Sequence, residues 1–147
     1  MAQSRNNQKP TYPLPVYNFR VTVDGTAVGF QDVSGLVLEY QTVTYRHGLS
    51  FLEGEDIEKY HLEKYVQVTL KKGVVKGDSF LLNWLKDNRP RMVRVSLCDE
   101  SGRPVITWRI SRALAVKLEA STFDANSNQV SIDTLSLQAA GISVEHH

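Results

Sequence analysis

Apolar and polar side chains alternate along most of this chain, which is the pattern of β-strands with one buried face. In the first run, residues 16–23, every second residue is large and apolar, and an Asp24-Gly25 hairpin-turn signal follows. The chain then returns through Val28 and Phe30. Longer strands are predicted over residues 16–23, 37–45, 62–70, 91–98, 105–110 and 112–118, with apolar pairs at 130–137 and 142–144.

Three of these runs carry finer predictions. In residues 37–45 both faces are apolar, which indicates that both are covered. In residues 112–118 we expect Leu114, Val116 and Leu118 to face inward. In residues 130–137 the apolar positions fall out of phase, which predicts a β-bulge near Asp133-Thr134. Residues 142–144 would then finish an edge strand.

One helix interrupts the strands. Large apolar residues recur at helical spacing over residues 79–87, with Asp78 or Ser79 available as the cap and Pro90 just beyond the end. We expect the core between helix and sheet to contain Phe80, Trp84, Val93, Val95, Trp108 and Ile110. The fold class is therefore mainly β: an antiparallel β-sandwich or open barrel with one short α-helix.

Two segments depart from the strand pattern. Residues 1–11 are polar and predict a flexible N-terminal arm ahead of a single domain over residues 12–147. Residues 46–61 predict a long loop, with or without a short helical turn, because an acidic run and two glycines break the alternation. This loop also carries large apolar side chains with no strand period, which is typical of an interface.

Composition excludes several classes of function. The formal net charge of +1 gives no electrostatic reason to bind nucleic acid or an anionic membrane. The single cysteine, Cys98, allows no intramolecular disulfide and fits synthesis in a reducing compartment. We expect no secretory signal, since the N-terminal residues lack an apolar core, and no membrane span.

No cluster of residues predicts catalysis or a cofactor. His47 and His61 lie near Glu55, Asp56, Glu58 and Glu63, but no pair has metal-ligand spacing, so a charged loop at a surface or interface is the favoured interpretation. Cys98 lacks the neighbouring histidine and orienting partner that a nucleophile requires, which favours a simple buried thiol. We expect no enzyme, no metal site and no cofactor.

Six short motifs in a fixed order resemble the tail-tube family of myophages and extracellular contractile injection systems. The resemblance covers about residues 12–144. The matching stretches are Tyr-Pro-x-Pro at 12–15, F-x-x-V-S-G-L at 30–36, Y-R-H-G at 45–48, T-L-K-K-G at 69–73, a helix carrying Phe80 and Trp84, and F-D-A-x-S-N at 123–128.

This resemblance implies a structural subunit of an inner tube. Subunits would form hexameric rings whose strands join one continuous β-barrel around a lumen, and the rings would stack inside a sheath. The implied partners are further copies of the chain, the sheath protein, the baseplate hub or spike, tube-terminating proteins, and a cargo effector or DNA in the lumen. The implied location is a bacterial cytoplasm for synthesis, followed by a phage tail or a released extracellular particle.

We assign ring stacking to the 46–61 loop and the N-terminal arm, and lateral pairing of subunits to the strands near 37–45 and 62–70. The candidate contact residues in the loop are Arg46, His47, Leu49, Phe51, Leu52, Glu53, Glu55, Asp56 and Glu58. The acidic members would meet basic residues of a neighbouring subunit and set the register of the contact.

Alternative roles remain open at this point. The Pro-Gly element that the family commonly carries before its Thr-Leu-Lys strand is missing here, which leaves a tube-initiating ring on the baseplate as an alternative to the main tube. A monomeric β-sandwich binding module is a second alternative, which the two apolar faces of residues 37–45 disfavour. A small hydrolase or transferase is disfavoured by the missing catalytic groups.

Overall fold

The computed structural model describes residues 12–45, 56–60 and 64–147. Nine of the ten elements are strands, which confirms the mainly β prediction. The strands are β1 (Phe19–Val23), β2 (Thr26–Val28), β3 (Asp32–Ser34), β4 (Gln41–Tyr45), β5 (Asp56–Tyr60), β6 (Val66–Gly73), β7 (Arg91–Cys98), β8 (Pro104–Ala120) and β9 (Ile132–His146). The helix is α1 (Phe80–Lys86).

Seven strands form one antiparallel sheet in the order β2-β1-β7-β8-β9-β6-β3, and β4 pairs with β5 in a separate two-stranded sheet. The two long central strands, β8 and β9, pair with each other, and each has a second neighbour along only part of its length. β7 pairs with β8 only as far as Ala113, and β6 pairs with β9 only as far as Ala139. The upper half of the sheet is therefore β8-β9-β6-β3, and the lower half is β2-β1-β7-β8-β9.

The sheet coils around a single cluster of buried side chains, to which both halves contribute. Val21 of β1 and Leu70 of β6 belong to the same cluster, although three strands lie between β1 and β6 in the sheet. The predicted core is confirmed: Trp84, Val93, Val95 and Ile110 are buried, while Phe80 and Trp108 are partly buried and pack against the cluster.

The helix is capped by Asp78, whose Oδ1 accepts a hydrogen bond from the backbone N–H of Phe80 at 3.0 Å. Lys72 lies 2.9 Å from the same carboxylate, and these two donors lower the pKa of Asp78. Ser79 makes no side-chain capping bond. Of the two caps that the sequence offered, the structure therefore uses the carboxylate, which can accept from the helix and from a lysine together.

Trp84 anchors the helix to the sheet and is fully buried. The Phe80 ring meets it edge-on with centroids 5.9 Å apart, and the Arg91 guanidinium lies 5.6 Å from its ring centre. Arg91 is held in turn by Asp87, at 3.4 Å. The indole N–H of Trp84 has no hydrogen-bond partner among the described residues, so its contribution comes from packing area and ring contacts.

β8 and β9 turn a corner where Ser111 faces Gly141. Gly141 has a φ of +70°, and the Ser111 hydroxyl donates to its carbonyl oxygen at 2.8 Å. A β-carbon at Gly141 would collide with the Ser111 hydroxyl oxygen, so this position requires glycine. The corner changes which residues face inward, so the predicted inward face of 112–118 is wrong in part: Ala113 and Ala115 are buried, and Val116 is 47% exposed. Leu118 packs against the core cluster as predicted.

Several predicted strand bounds are corrected by long-range pairing. Residues 105–110 and 112–118 are one strand, β8, because both stretches pair with β9. The bulge lies at residue 116 of β8, where Ala115 and Lys117 pair with consecutive residues of β9, and not at Asp133-Thr134. Ile142 and Val144 belong to β9. Beyond Ala139, β9 pairs with β8 on one side and has no described neighbour on the other.

At the N-terminal end of the chain the pairing is shorter than the alternation predicts. β1 starts at Phe19, opposite Leu97, because its partner β7 turns away at Asp99. The predicted strand over 37–45 is reduced to β4. Val37 and Leu38, which the sequence places on opposite faces, are both more than 40% exposed, so the described chain covers neither of them. The predicted 62–70 strand begins at Val66.

The predicted long loop over 46–61 is wrong for residues 56–60, which form β5 and pair with β4 from Asp56↔Tyr45 to Gln41↔Tyr60. Alternation of apolar and polar residues marks a strand that has one buried face. The charged residues of β5 show no such alternation, so the sequence pattern did not predict this strand. The β-branched residues of β4 supply the local strand preference. Residues 46–55 and the predicted arm over 1–11 lie outside the described residues.

Candidate assembly surfaces

The β4–β5 hairpin is the first candidate surface, because no described strand joins it to the seven-stranded sheet. A lone two-stranded hairpin is at best marginally stable in water. Its base is held by Lys64, whose Nζ lies 3.2 Å from Glu39, and by Lys59, which lies 5.2 Å from the centre of the Tyr40 ring. Both contacts involve exposed side chains, and contacts of this kind contribute little to stability.

The residues that the sequence analysis assigned to stacking fall in and beside this hairpin. Asp56 and Glu58 stand on β5, opposite Tyr45 and Val43. The other seven, Arg46, His47, Leu49, Phe51, Leu52, Glu53 and Glu55, lie outside the described residues. Their role in stacking stays a prediction.

Two half-strands present the second candidate surface. From residue 114 onward β8 pairs only with β9, and from residue 140 onward β9 pairs only with β8, among the residues that the structure describes. The outermost strands of the sheet, β2 and β3, are only three residues long. Unpaired backbone N–H and C=O groups along a longer strand favour the addition of another strand. No local pattern in the sequence indicates these half-edges, since they depend on where the pairing of β6 and β7 ends.

An apolar groove of about 500 Å³ opens between the β1–β7 side of the sheet and β3. Phe19, Val33 and Trp108 contribute to its wall. Val16 and Tyr17 also line it and are 84% and 80% exposed. Adjacent apolar side chains with this exposure mark an interaction surface more often than a monomer surface. Sequence reasoning missed this feature because it placed both residues inside the first strand.

Among the described residues, no group of three or more His, Cys, Asp or Glu side chains is arranged to hold a metal ion. Cys98 is buried and lies 3.8 Å from the carbonyl oxygen of Ser96. The described helix is too short to cross a bilayer. The exposed edges, hairpin and groove are therefore the described features that call for a functional explanation.

The glycine of the F-x-x-V-S-G-L motif has a structural reason. Gly35 follows β3 with a φ of +90°, and a β-carbon there would collide with the carbonyl oxygen of Gln67 on β6. The glycine of this motif therefore allows the chain after the short edge strand β3 to lie close to β6. A family model, T4-like virus tail tube protein gp19, matches residues 15–143 of the chain, which includes this motif.

This chain belongs to the tail tube protein family. The match covers most of its length and confirms the resemblance drawn from the six motifs. The protein is thus a structural tube subunit, which fits its exposed edges and hairpin better than a monomeric binding module would.

Solved structures with similar chains come from contractile injection particles. A chain in the sheath–tube complex of the extracellular contractile injection system PVC, in its extended state, is 29% identical with a TM-score of 0.80; the match covers 94% of the tail tube protein and 95% of that chain. A chain in the anti-feeding prophage cap, the AFP tube terminating cap, is 27% identical over the whole of both chains with a TM-score of 0.82.

A chain in the 6-fold symmetrised baseplate of the anti-feeding prophage is 25% identical with a TM-score of 0.69, and the match covers 92% of the tail tube protein and 97% of that chain. The three assemblies are described as a sheath–tube complex, a terminating cap and a baseplate. The same fold thus occurs along a tube and at both of its ends. No curated protein matches the tail tube protein.

Proposed function

We propose that this chain forms hexameric rings that stack into the inner tube of a contractile phage-tail-like injection particle. The observation that carries the proposal is the set of unpaired strand edges on a tail tube fold. An antiparallel sheet that closes on itself through neighbouring copies removes such edges, and six-fold order in a related baseplate supports the number of copies.

Lateral pairing is assigned to the free half of β8 and to the region of 37–45. The free half of β8 starts at Leu114 and includes the exposed Val116, which a neighbouring strand would cover. β6 was the other candidate from the sequence, but it already has β9 on one side and β3 on the other, so it has less edge to offer. Heterologous pairing of two different edges closes a ring by rotation.

Stacking of rings is assigned to the 46–61 segment, which includes β5 of the hairpin, and to the N-terminal arm. In the described part of the chain no third strand pairs with the hairpin, and Tyr60 at its base is 45% exposed. A neighbouring ring would cover this surface. This role is mechanical, and we assign no catalysis to the chain.

The proposed partners are further copies, a sheath protein, baseplate and tube-terminating proteins, and a cargo effector or DNA in the lumen. The similarity to chains of a sheath–tube complex, a baseplate and a cap supports the first four. The chain would be made in a bacterial cytoplasm and become part of a phage tail or a released particle.

A second candidate role is a ring at one end of the tube. The match over the full length of a chain from a terminating cap favours a terminator, and the match to a baseplate chain favours the initiator that the missing Pro-Gly element also allows. Labelling the chain with gold in purified particles separates the roles: label along the whole tube indicates the main subunit, and label at one end indicates a terminal ring.

Negative-stain microscopy and native mass spectrometry of the purified chain test the proposal itself. We expect rings of six copies, alone or stacked. A compact monomer that also fails to enter particles when the other components are present would contradict it.

A further inference from the structure

Two arginines stand side by side on the outer face of the lower half-sheet. β7 and β8 pair with Arg94 directly opposite Arg109, and the same row continues to Thr22 on β1 and Ser143 on β9. Both arginines are exposed. Residues directly opposite each other in an antiparallel pair have β-carbons about 5 Å apart, and like charges at that spacing are destabilising.

The described part of the chain supplies no counterion for this pair. Neither guanidinium lies within 4.0 Å of a carboxylate in residues 12–45, 56–60 or 64–147. The nearest acid along β9 on this face is Glu145, two residues beyond Ser143, and it forms no ion pair with Arg109. Arg20, on the other side of the row, adds a third positive charge and donates to the carbonyl oxygen of Gly102.

Elsewhere in the chain, the sequence concentrates acidic residues in one short segment. Four of its 16 acidic residues, Glu53, Glu55, Asp56 and Glu58, lie within six positions, although the whole chain is almost neutral. Asp56 and Glu58 stand two residues apart on β5 and therefore share a face of the hairpin. Alternate positions along any strand are about 7 Å apart, a spacing that suits two acids opposite two arginines on neighbouring strands.

We propose that the Arg94–Arg109 pair is the docking site for the acidic β5 segment of a second copy of this chain. This inference rests on the proposed function, since it names the two surfaces through which copies recognise each other. The two guanidinium groups, which repel each other in the free chain, donate hydrogen bonds to the carboxylates of a neighbouring copy in the assembly. The contact then sets the register between copies, because shifting β5 by one residue turns both acids to its opposite face.

The arrangement makes a prediction that a purely structural role for the arginines would not. Neutralising them as R94Q/R109Q removes the repulsion, so the isolated chain should become slightly more stable to urea while its assembly weakens. An arginine pair that holds the fold together would shift both quantities in the same direction.

Charge exchange tests the contact in the full chain. The variant R94E/R109E should lose at least about tenfold in assembled rings and tubes, and D56K/E58K should lose as much, since close charge pairs across interfaces couple strongly. Combining all four substitutions restores the charge complementarity with the signs exchanged, and assembly should recover. The control K76E/R89E makes the same change in net charge at two other exposed positions and should assemble normally.

Three results would overturn the inference. They are normal assembly of R94E/R109E, a combined variant that assembles no better than either reversed pair, and a loss of monomer stability in R94Q/R109Q. The proposed function would stand in each case provided that the unmodified chain forms rings. If the unmodified chain itself fails to assemble, the proposed function is wrong. The urea stability of R94Q/R109Q then still shows whether the two arginines repel each other in the isolated chain.

Discussion

The seven-stranded sheet and the β4–β5 hairpin differ in how their strands are paired and in how their side chains are buried. The sheet coils around its own core, and side chains such as Leu70, Trp84 and Ile110 have no exposed surface. Among the described residues, β4 and β5 of the hairpin pair only with each other, and Tyr40 and Tyr60 are more than 40% exposed. The fold of the sheet is explained by contacts within the chain, whereas for the hairpin we propose contacts with neighbouring copies.

The largest effect on stability is expected from Trp84→Ala. Removing a fully buried tryptophan leaves a cavity between helix and sheet, and we expect the free energy of unfolding to fall by about 3–5 kcal/mol. Urea unfolding of the dissociated chain measures it. Trp84→Phe is the matched control and should cost less, because it keeps an aromatic ring and also removes an N–H that lacks a partner. A loss below about 1 kcal/mol for the alanine variant would mean that the helix contributes little to the core.

The corner of the long strands should come next. Gly141→Ala places a β-carbon against the Ser111 hydroxyl at a positive φ, and strained positions of this kind cost about 1–3 kcal/mol. The double variant Gly141→Ala with Ser111→Ala should recover part of the loss, because the colliding oxygen is gone. Additive losses in the same unfolding experiment would show that the backbone conformation alone, and not the contact, requires glycine.

A smaller effect is expected from pH. Asp78, Asp87 and Asp99 each accept hydrogen bonds that lower their pKa below the ordinary value of 3.8; the largest causes are Lys72 for Asp78, the Arg89 N–H for Asp87 and the Ser101 side chain for Asp99. Lowered folded-state pKa values mean that these carboxylates stabilise the fold above the ordinary value, and that the stabilisation disappears as the pH falls through the lowered ones.

The melting temperature should therefore drop between pH 5 and pH 2, and the drop should be shallower in the triple variant D78N/D87N/D99N. A Glu100→Gln variant serves as the control at an exposed position of the same turn as Asp99. An identical pH profile for the triple variant and the unmodified chain would assign the acid sensitivity to other groups.

The smallest effect on the fold should come from the hairpin region, where the effect on assembly should be complete. Replacing Phe51 and Leu52 together with Ser should leave the stability of the monomer almost unchanged and abolish tubes, since these side chains are proposed to pack against a neighbouring copy. Microscopy and urea unfolding of the same preparation measure both. An unfolded monomer would place the segment in the core of the domain, and tubes of normal length would transfer stacking to the N-terminal arm.

Local sequence patterns predicted most of what lies inside the chain. Alternation located β7 from Arg91 to Cys98, helical spacing located α1, and both together identified the core around Trp84, because one buried face leaves its period in the sequence. Six motifs in order were enough to predict the family. Alternation failed for Val16 and Tyr17, which keep the strand period inside a turn, and for β5, whose faces are both polar enough to lack it.

The features proposed for assembly were decided by the tertiary structure. The free half of β8 exists because β7 stops opposite Ala113, and Arg94 meets Arg109 because two strands pair in one register. Both facts depend on residues far apart in the chain, and a shift by a single residue would have separated the two charges. The sequence by itself determined which residues seek the core and which family the chain belongs to. The pairing of strands, which no local pattern encodes, decided which edges and charges remain for a neighbour.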